Sequence, residues 1–415
     1  MSNTQDNTGR PWLIVMFFTL FMALMTFNLI IYPACAISAM KVFSIGQTEL
    51  TTLTSITSLV GVFAGLIFGR ILDTKDVRKN IIIFLAMGVA LFVARAFVLS
   101  FIPTVILTFL ASLSVGICQV AAPKVVASWY PPEKVGTATS FFVAGAGIGS
   151  AGGFALGAVL GIQAALLIVA IAYAVLLLIW IVVGHEGPFV QAFPASSALN
   201  AKDGAARVYK SRHLWLIILA YSLAMTASMT LNSYMINAFV GKGLSPSEAS
   251  IMGTAFNICL MAGGFIMTAL LGFVKRFNIL LTIAMIGGGT FILVGWFVPI
   301  GTITWVCVIL GGLFFGGSLG LCIGRIPLLT MTGDFGPELI GTASGFSESI
   351  KGVISFVLPI GIASVFSTNF GAIFIVFAAC CLLTFIFGAL LMPELGENGK
   401  LFKQINGAEK VKEYL

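Results

Sequence analysis

Twelve stretches of this chain are each long and apolar enough to cross a lipid bilayer. In hydrocarbon every backbone polar group must be satisfied within its own segment, so such stretches become helices of about 20 residues. They run near 12–33, 49–71, 80–100, 103–127, 136–159, 162–183, 214–238, 247–273, 278–298, 302–326, 340–365 and 371–392. Connections such as Ser100 to Pro103 and Phe366 to Phe370 are so short that the segments they join must be closely packed hairpins. Composition points the same way. Of the 415 residues 59% are hydrophobic and only 9% charged, where a soluble domain is about 25% charged. The chain reads as an all-α membrane protein with 12 transmembrane helices.

The long polar interruption, 185–212, is rich in Pro, Ala and Ser and then basic, and it divides the segments six and six. The expected organisation is therefore an N-terminus over 1–11, a six-helix bundle over 12–184, a linker over 185–212, a second bundle over 213–393 and a tail over 394–415. Lysine and arginine bias sets the orientation. With the N-terminus inside, the inner face collects Arg10, Arg70, Lys75, Arg78, Lys79, Lys134, Lys202, Arg207, Lys210, Arg212, Lys275, Arg276 and the tail residues Lys400, Lys403, Lys410 and Lys412. The outer face keeps only Lys41 and Lys242. The net charge of +7 is thus topological and calls for no nucleic-acid partner. Both termini and the linker are expected in the cytoplasm, with the protein in a bacterial inner (plasma) membrane. The polar start runs directly into an apolar stretch with no small-residue cleavage site, so no cleavable signal peptide is expected.

The 7 cysteines lie in apolar stretches without paired short spacings, as small hydrophobes and not as a disulfide or metal framework. No phosphate loop, nucleotide-binding pattern or nucleophile–base constellation occurs. Neither an enzyme nor a bound cofactor or metal is expected.

The two halves are copies. A shift of 204 residues lays Ala23-Leu24-Met25-Thr26-Phe27-Asn28 on Ala227-Ser228-Met229-Thr230-Leu231-Asn232, and Ser114-Val115-Gly116-Ile117-Cys118 on Ser318-Leu319-Gly320-Leu321-Cys322. It also lays Pro123 on Pro327. One inserted residue later, Pro132-Glu133-Lys134-Val135-Gly136-Thr137-Ala138 meets Pro337-Glu338-Leu339-Ile340-Gly341-Thr342-Ala343. Parallel six-helix repeats place a substrate site near midplane at the seam between halves, with access alternating by rocking.

With this duplication the chain resembles the major facilitator superfamily. The run Gly69-Arg70-Ile71-Leu72-Asp73-Thr74-Lys75-Asp76-Val77-Arg78-Lys79 after segment 2 is similar to that family's cytoplasmic signature, with Asp76 where glycine is usual. The resemblance implies the major facilitator fold, two pseudo-symmetric six-helix bundles. It also implies that Gly69 and Asp73, with Arg78 and Lys79, latch the cytoplasmic gate in the outward-facing state; the alternative is a basic loop with an incidental acid. The counterpart Gly272-Phe273-Val274-Lys275-Arg276 lacks the acid, so the latch would be one-sided.

Five ionisable residues remain inside the spans: Arg95, Lys124, Arg325, Glu348 and Lys351. Charges at such depth are costly and mark functional positions, and an excess of fixed positive charge favours anions. Lys351 lies roughly 16 Å into segment 11, near midplane. Within the superfamily, Gly345-Phe346 followed by Lys351 resembles the oxalate:formate antiporter and monocarboxylate transporter group, in which a lysine at this spacing contacts the carboxylate substrate. That group also carries an arginine on helix 8. Ile258 to Gly272 holds no charge here, which points to a monoanion. Glu348, one turn from Lys351, either neutralises it or carries a proton.

Arg325 and Lys124 lie nearer the inner interface and either line the inner pathway or snorkel to the cytoplasmic face. Arg95, on segment 3, is read as structural or vestibular. Asn28 with Tyr32, and Asn232 with Tyr234, either bind substrate and close an outer gate or pin segments 1 and 7 together. The glycines of segment 5 (Gly145, Gly147, Gly149, Gly152, Gly153 and Gly157) are read as a packing seam, because Ser150 replaces the proline of the similar drug-antiporter signature.

The expectation is a monomeric secondary transporter of a small organic monoanion, a monocarboxylate for instance, working by proton symport or anion exchange. Its partners would be that anion, protons and membrane lipid. A proton-coupled drug exporter is the first alternative, disfavoured because cationic drugs want acids in the cavity. A nutrient sensor on a transporter scaffold is the second, disfavoured by a short tail after Pro393.

Overall fold

The structure is a computed structural model, describing residues 10–63, 68, 76–130, 132–157, 159–185, 207–335, 339–366, 368–395 and 398–399. Within these, the side chains of 10, 123–124, 127, 132–144, 327, 330–331 and 340–341 are not described. All regular secondary structure among the described residues is helical.

The first helices are α1 (Arg10–Ala34), α2 (Ala36–Phe43), α3 (Gln47–Ser55), α4 (Val77–Phe97), α5 (Phe101–Trp129), α6 (Pro132–Gly157) and α7 (Ile162–Val183). The remainder are α8 (Arg212–Gly241), α9 (Pro246–Val274), α10 (Phe277–Phe297), α11 (Thr302–Phe315), α12 (Ser318–Ile323), α13 (Ile340–Phe366) and α14 (Phe370–Phe385). Ten described helical stretches are long and apolar enough to span a membrane, with α11 and α12 together forming one of them. Segment 2 runs into residues outside the description, and α6 is described only in part.

The chain divides into two compact units, Met1–Phe193 with Met235–Thr254, and Pro194–Tyr234 with Ala255–Leu415. In the first, Phe17 and Phe18 of α1 pack on Trp180 of α7 with ring centroids 4.6 and 5.9 Å away. Gly149 of α6 sits so close to α1 that a Cβ there would lie 1.9 Å from the Ala23 carbonyl oxygen. Gly145, Gly149 and Gly157 therefore let the α6 and α1 backbones approach closely, as small residues do in membranes, whereas Gly152 meets nothing within 4 Å. In the second unit the same device joins other helices: a Cβ on Gly263 of α9 would lie 1.9 Å from the Leu313 carbonyl oxygen of α11.

Local sequence explains the breaks. Asp76 caps α4, its side chain accepting a hydrogen bond from the Lys79 amide at 3.2 Å. Aspartate is a strong N-cap, so the residue that departs from the family signature has a local role. Helix α5 is continuous from Phe101 to Trp129. Its counterpart stops at Phe315, resumes as α12 and ends in a 3₁₀ turn over Pro327–Thr332. Gly316, Gly317 and Gly324 weaken the helix, and Pro327 supplies no amide donor. Helix α14 runs into a π turn over Ile386–Leu390.

Candidate functional site

The second unit holds a three-residue polar group inside the helices. Glu348 and Lys351 stand three apart on α13 and so share one face. Lys351 Nζ lies 2.5 Å from Glu348 Oε2. Tyr221, on α8, donates its hydroxyl to the other carboxylate oxygen, Oε1, at 3.1 Å. The ammonium also lies 5.2 Å from the centre of the Tyr221 ring, a cation–π distance. One tyrosine thus contacts both members of the pair.

Neighbouring residues set the rotation of α13. Phe346 packs against Tyr209 and Trp215, with centroids 4.7 and 5.4 Å away, while Ser347 and Ser355 are buried. Lys351 keeps 13% of its side-chain surface and Glu348 keeps 35%. The carboxylate is thus the more accessible partner. Chemically, the group is a carboxylate and an ammonium in direct contact, with one tyrosine touching both.

The first unit holds a different arrangement. Arg95 of α4 is 0% exposed. Its Nη1 donates to Asn28 Oδ1 at 2.9 Å, and Asn28 Nδ2 donates to the Ser112 hydroxyl at 3.1 Å. Tyr32 shares a 2.8 Å hydrogen bond with Thr108. Asn28 and Tyr32 therefore join α1 to α4 and α5. Asn237, one turn beyond the Asn232 region, donates to Gln47 at 2.6 Å within this unit.

Other expected site residues are placed elsewhere. Asn232 donates to the Ser228 carbonyl and accepts from Asn257, at 2.9 and 3.2 Å. The Tyr234 ring is buried near Phe370, 6.4 Å between centroids. Arg325 is 1% exposed. It donates to the Gly388 carbonyl in the π turn and lies 5.3 Å over the Phe277 ring. Its guanidinium is packed among α10 and the end of α14. Lys124 is on α5, with its side chain outside the described residues.

Gly69 and Asp73 of the expected latch also lie outside the described residues. Arg78 donates to the Ile181 carbonyl at 2.8 Å, and Trp180 returns a hydrogen bond to the Arg78 carbonyl at 3.3 Å. Lys79 pairs loosely with Asp76 at 3.7 Å.

Sequence reasoning missed Tyr221 and one further cluster. Ser211 caps α8 by accepting from the Leu214 amide at 3.1 Å and donates to Asp334 at 2.5 Å. His213 Nδ1 lies 3.0 Å from the same carboxylate oxygen. Burial alone would raise the Asp334 pKa, but the hydrogen bonds from Ser211 and His213 outweigh it and hold the carboxyl below its ordinary value. The usable signals were a tyrosine within segment 7 and a Ser-x-His next to its start.

Known proteins share this architecture. A D-xylose–proton symporter of known structure superposes with a TM-score of 0.75 at 14% identity, covering 93% of this chain and 99% of that one. A bacterial homologue of the human lysosomal transporter Spinster, in an inward-facing unoccupied conformation, gives 0.74 at 14% identity, with 92% and 95% covered. A nucleoside transporter gives 0.72 at 13% identity, with 91% and 99% covered. No curated sequence relative matches. The family model of the Major Facilitator Superfamily matches residues 14–359. With ten described helices apolar enough to span a membrane and an all-α fold, this chain belongs to the Major Facilitator Superfamily and is a multi-pass secondary transporter, not an enzyme.

Proposed function

We propose that the protein transports a small organic monoanion, with Lys351 as the counter-ion of the substrate and Glu348 as the proton site. The observation that carries this reading is the Glu348–Lys351 contact at 2.5 Å with Tyr221 on both partners. Carboxylate and ammonium cancel, so the unloaded group is neutral. A proton on Glu348 releases Lys351, and a monoanion then restores neutrality. One proton and one monovalent anion move together in this scheme, and the loaded group carries no net charge. The same pair supports anion exchange if Glu348 stays ionised and the anion displaces it from Lys351. Proton coupling also occurs in the D-xylose–proton symporter that shares the fold. In this reading 12–184 and 213–393 are the two bundles whose movement alternates access, 185–212 is their linker, and Gly69, Asp73, Arg78 and Lys79 form the cytoplasmic latch. The protein works as a monomer in a bacterial inner membrane with both termini in the cytoplasm.

The test is uptake into proteoliposomes of radiolabelled formate, lactate and oxalate under an imposed pH gradient. Lys351→Ala should abolish uptake of the monoanions while expression persists, and Glu348→Gln should uncouple uptake from the gradient. Undiminished anion uptake by Lys351→Ala would sink the assignment. A second reading is favoured by the neutrality of the closed pair: an uncharged polar solute that hydrogen-bonds to both partners. Xylose or uridine uptake that is lost in Lys351→Ala, with no anion uptake by the wild type, would establish it.

A further inference from the structure

We propose that the entry to α8, in the second unit, is a docking surface for the anionic headgroups of membrane lipid. Its cations are Arg207 and Lys210, in the helical turn 207–210, and Arg212, the first residue of α8; all three are exposed. Among the described residues none of them forms an ion pair. The acid that touches this segment, Asp334, is taken up by Ser211 and His213. Beside the cations two aromatic side chains keep much of their surface, Tyr209 at 48% and Trp215 at 37%. A lipid–water interface selects this combination, because Tyr and Trp have an apolar body and a polar tip.

The patch is held in one shape. Val208 belongs with Leu214 and Ile217 to one buried cluster. Trp215 Nε1 donates to the Tyr209 carbonyl at 2.9 Å, and both rings pack on Phe346 of α13. Helix length sets its depth. The 30 residues of α8 span about 45 Å, against about 30 Å of hydrocarbon. The polar start of α8, Arg212 and His213, therefore stands at headgroup level, with Trp215 at the edge of the hydrocarbon. Basic segments at that level are drawn to anionic lipid. A soluble acidic partner would have no use for an indole at the hydrocarbon edge. Under the 204-residue shift the three cations fall on Asn3, Asp6 and Thr8. The patch thus belongs to one half and is no part of the shared scaffold.

This inference stands whether or not the protein transports anions. The experiment compares the full-length protein in nanodiscs of phosphatidylcholine with nanodiscs that also contain phosphatidylglycerol. Phosphatidylglycerol should raise the Tm of the wild type by several degrees, by mass action, and added salt should shrink the gain. The triple variant Arg207→Gln/Lys210→Gln/Arg212→Gln should lose most of the gain. Lys275→Gln/Arg276→Gln, at another exposed basic pair, should keep it. The second readout is the fluorescence of Trp215, taken as the difference between wild type and Trp215→Phe. Phosphatidylglycerol brominated near the head of its acyl chains should quench it more than phosphatidylcholine brominated alike. A triple variant that keeps the wild-type gain overturns the proposal, as does Trp215 quenching indifferent to the headgroup. An equal gain from inorganic phosphate in phosphatidylcholine discs also overturns it, in favour of a soluble anionic partner. Should the triple variant fail to fold, the headgroup dependence of quenching in the wild type decides.

Discussion

In the second unit the described cation of α13, Lys351, has a carboxylate one turn away; in the first, Arg95 is held by an amide and two aromatic faces. The ancestral repeat supplied neither solution. Val143 and Ala146 stand at the positions of Glu348 and Lys351 under the 205-residue shift, and Pro299 at that of Arg95 under the 204-residue one. Asn28 and Asn232, by contrast, are equivalent under the 204-residue shift, yet their partners differ. Asn28 bonds Ser112 on α5, whereas the shift puts Gly316 at that place, and glycine offers no hydroxyl. Asn232 pairs instead with Asn257 on α9. The helix also breaks there, where Gly316 and Gly317 stand at the places of Ser112 and Leu113. A duplicated scaffold can thus keep its helices in order while its buried polar contacts diverge residue by residue.

The comparison can be broken most severely at its seams. Gly149→Val would drive a side chain into the Ala23 carbonyl, and Gly263→Val into that of Leu313. Overpacking costs about 1–3 kcal/mol and more where backbone is in the way. Each variant should lose most of its folded yield by size-exclusion chromatography, and normal yields would refute the reading of these seams as close packing.

Next comes the ion pair. The stability losses of Glu348→Gln and Lys351→Met should sum to more than the loss in the double variant. The coupling should be about 0.5–3 kcal/mol in a double-mutant cycle of thermal unfolding, at the lower end because Glu348 is partly exposed. Additive effects would mean that the contact contributes nothing.

The asparagines separate the halves directly. Asn28→Ala withdraws the amide oxygen that accepts from the buried Arg95 Nη1 and should cost about 1–3 kcal/mol. Asn232→Ala removes an ordinary interhelical bond worth about 0.6 kcal/mol. Equal losses in melting temperature would erase the distinction between them.

Asp334 should show the smallest effect, confined to acid. Folding lowers its pKa, so its contribution is complete above the ordinary carboxylate value of about 3.9 and disappears as pH falls through the lower folded value. Asp334→Asn should melt earlier than wild type at neutral pH, with the gap narrowing toward pH 3. A constant gap would assign the cluster no titrating role.

Much of the fold was legible because hydrocarbon imposes a simple rule on sequence: long apolar runs, helical and separated by short hairpins. Glu348 and Lys351 were legible as a pair because spacing on a helix is fixed by its period. Tyr221 was not, since nothing in a one-dimensional pattern tells which face of segment 7 meets which face of segment 11. Arg325 read as snorkelling to the cytoplasmic face or as lining the inner pathway, and no pattern pointed to its contacts. Its guanidinium found the Gly388 carbonyl, in a π turn that composition does not announce.

Hydropathy therefore determined from sequence alone the membrane-spanning class and the all-helical fold. These follow from transfer free energies and helical periodicity, which act on each segment by itself. Only the tertiary structure decided which buried charges are neutralised, by what partner and at what distance. A partner such as Tyr221 comes from 127 residues away along the chain, and which side chains meet depends on the rotation of packed helices. No local sequence rule encodes that rotation.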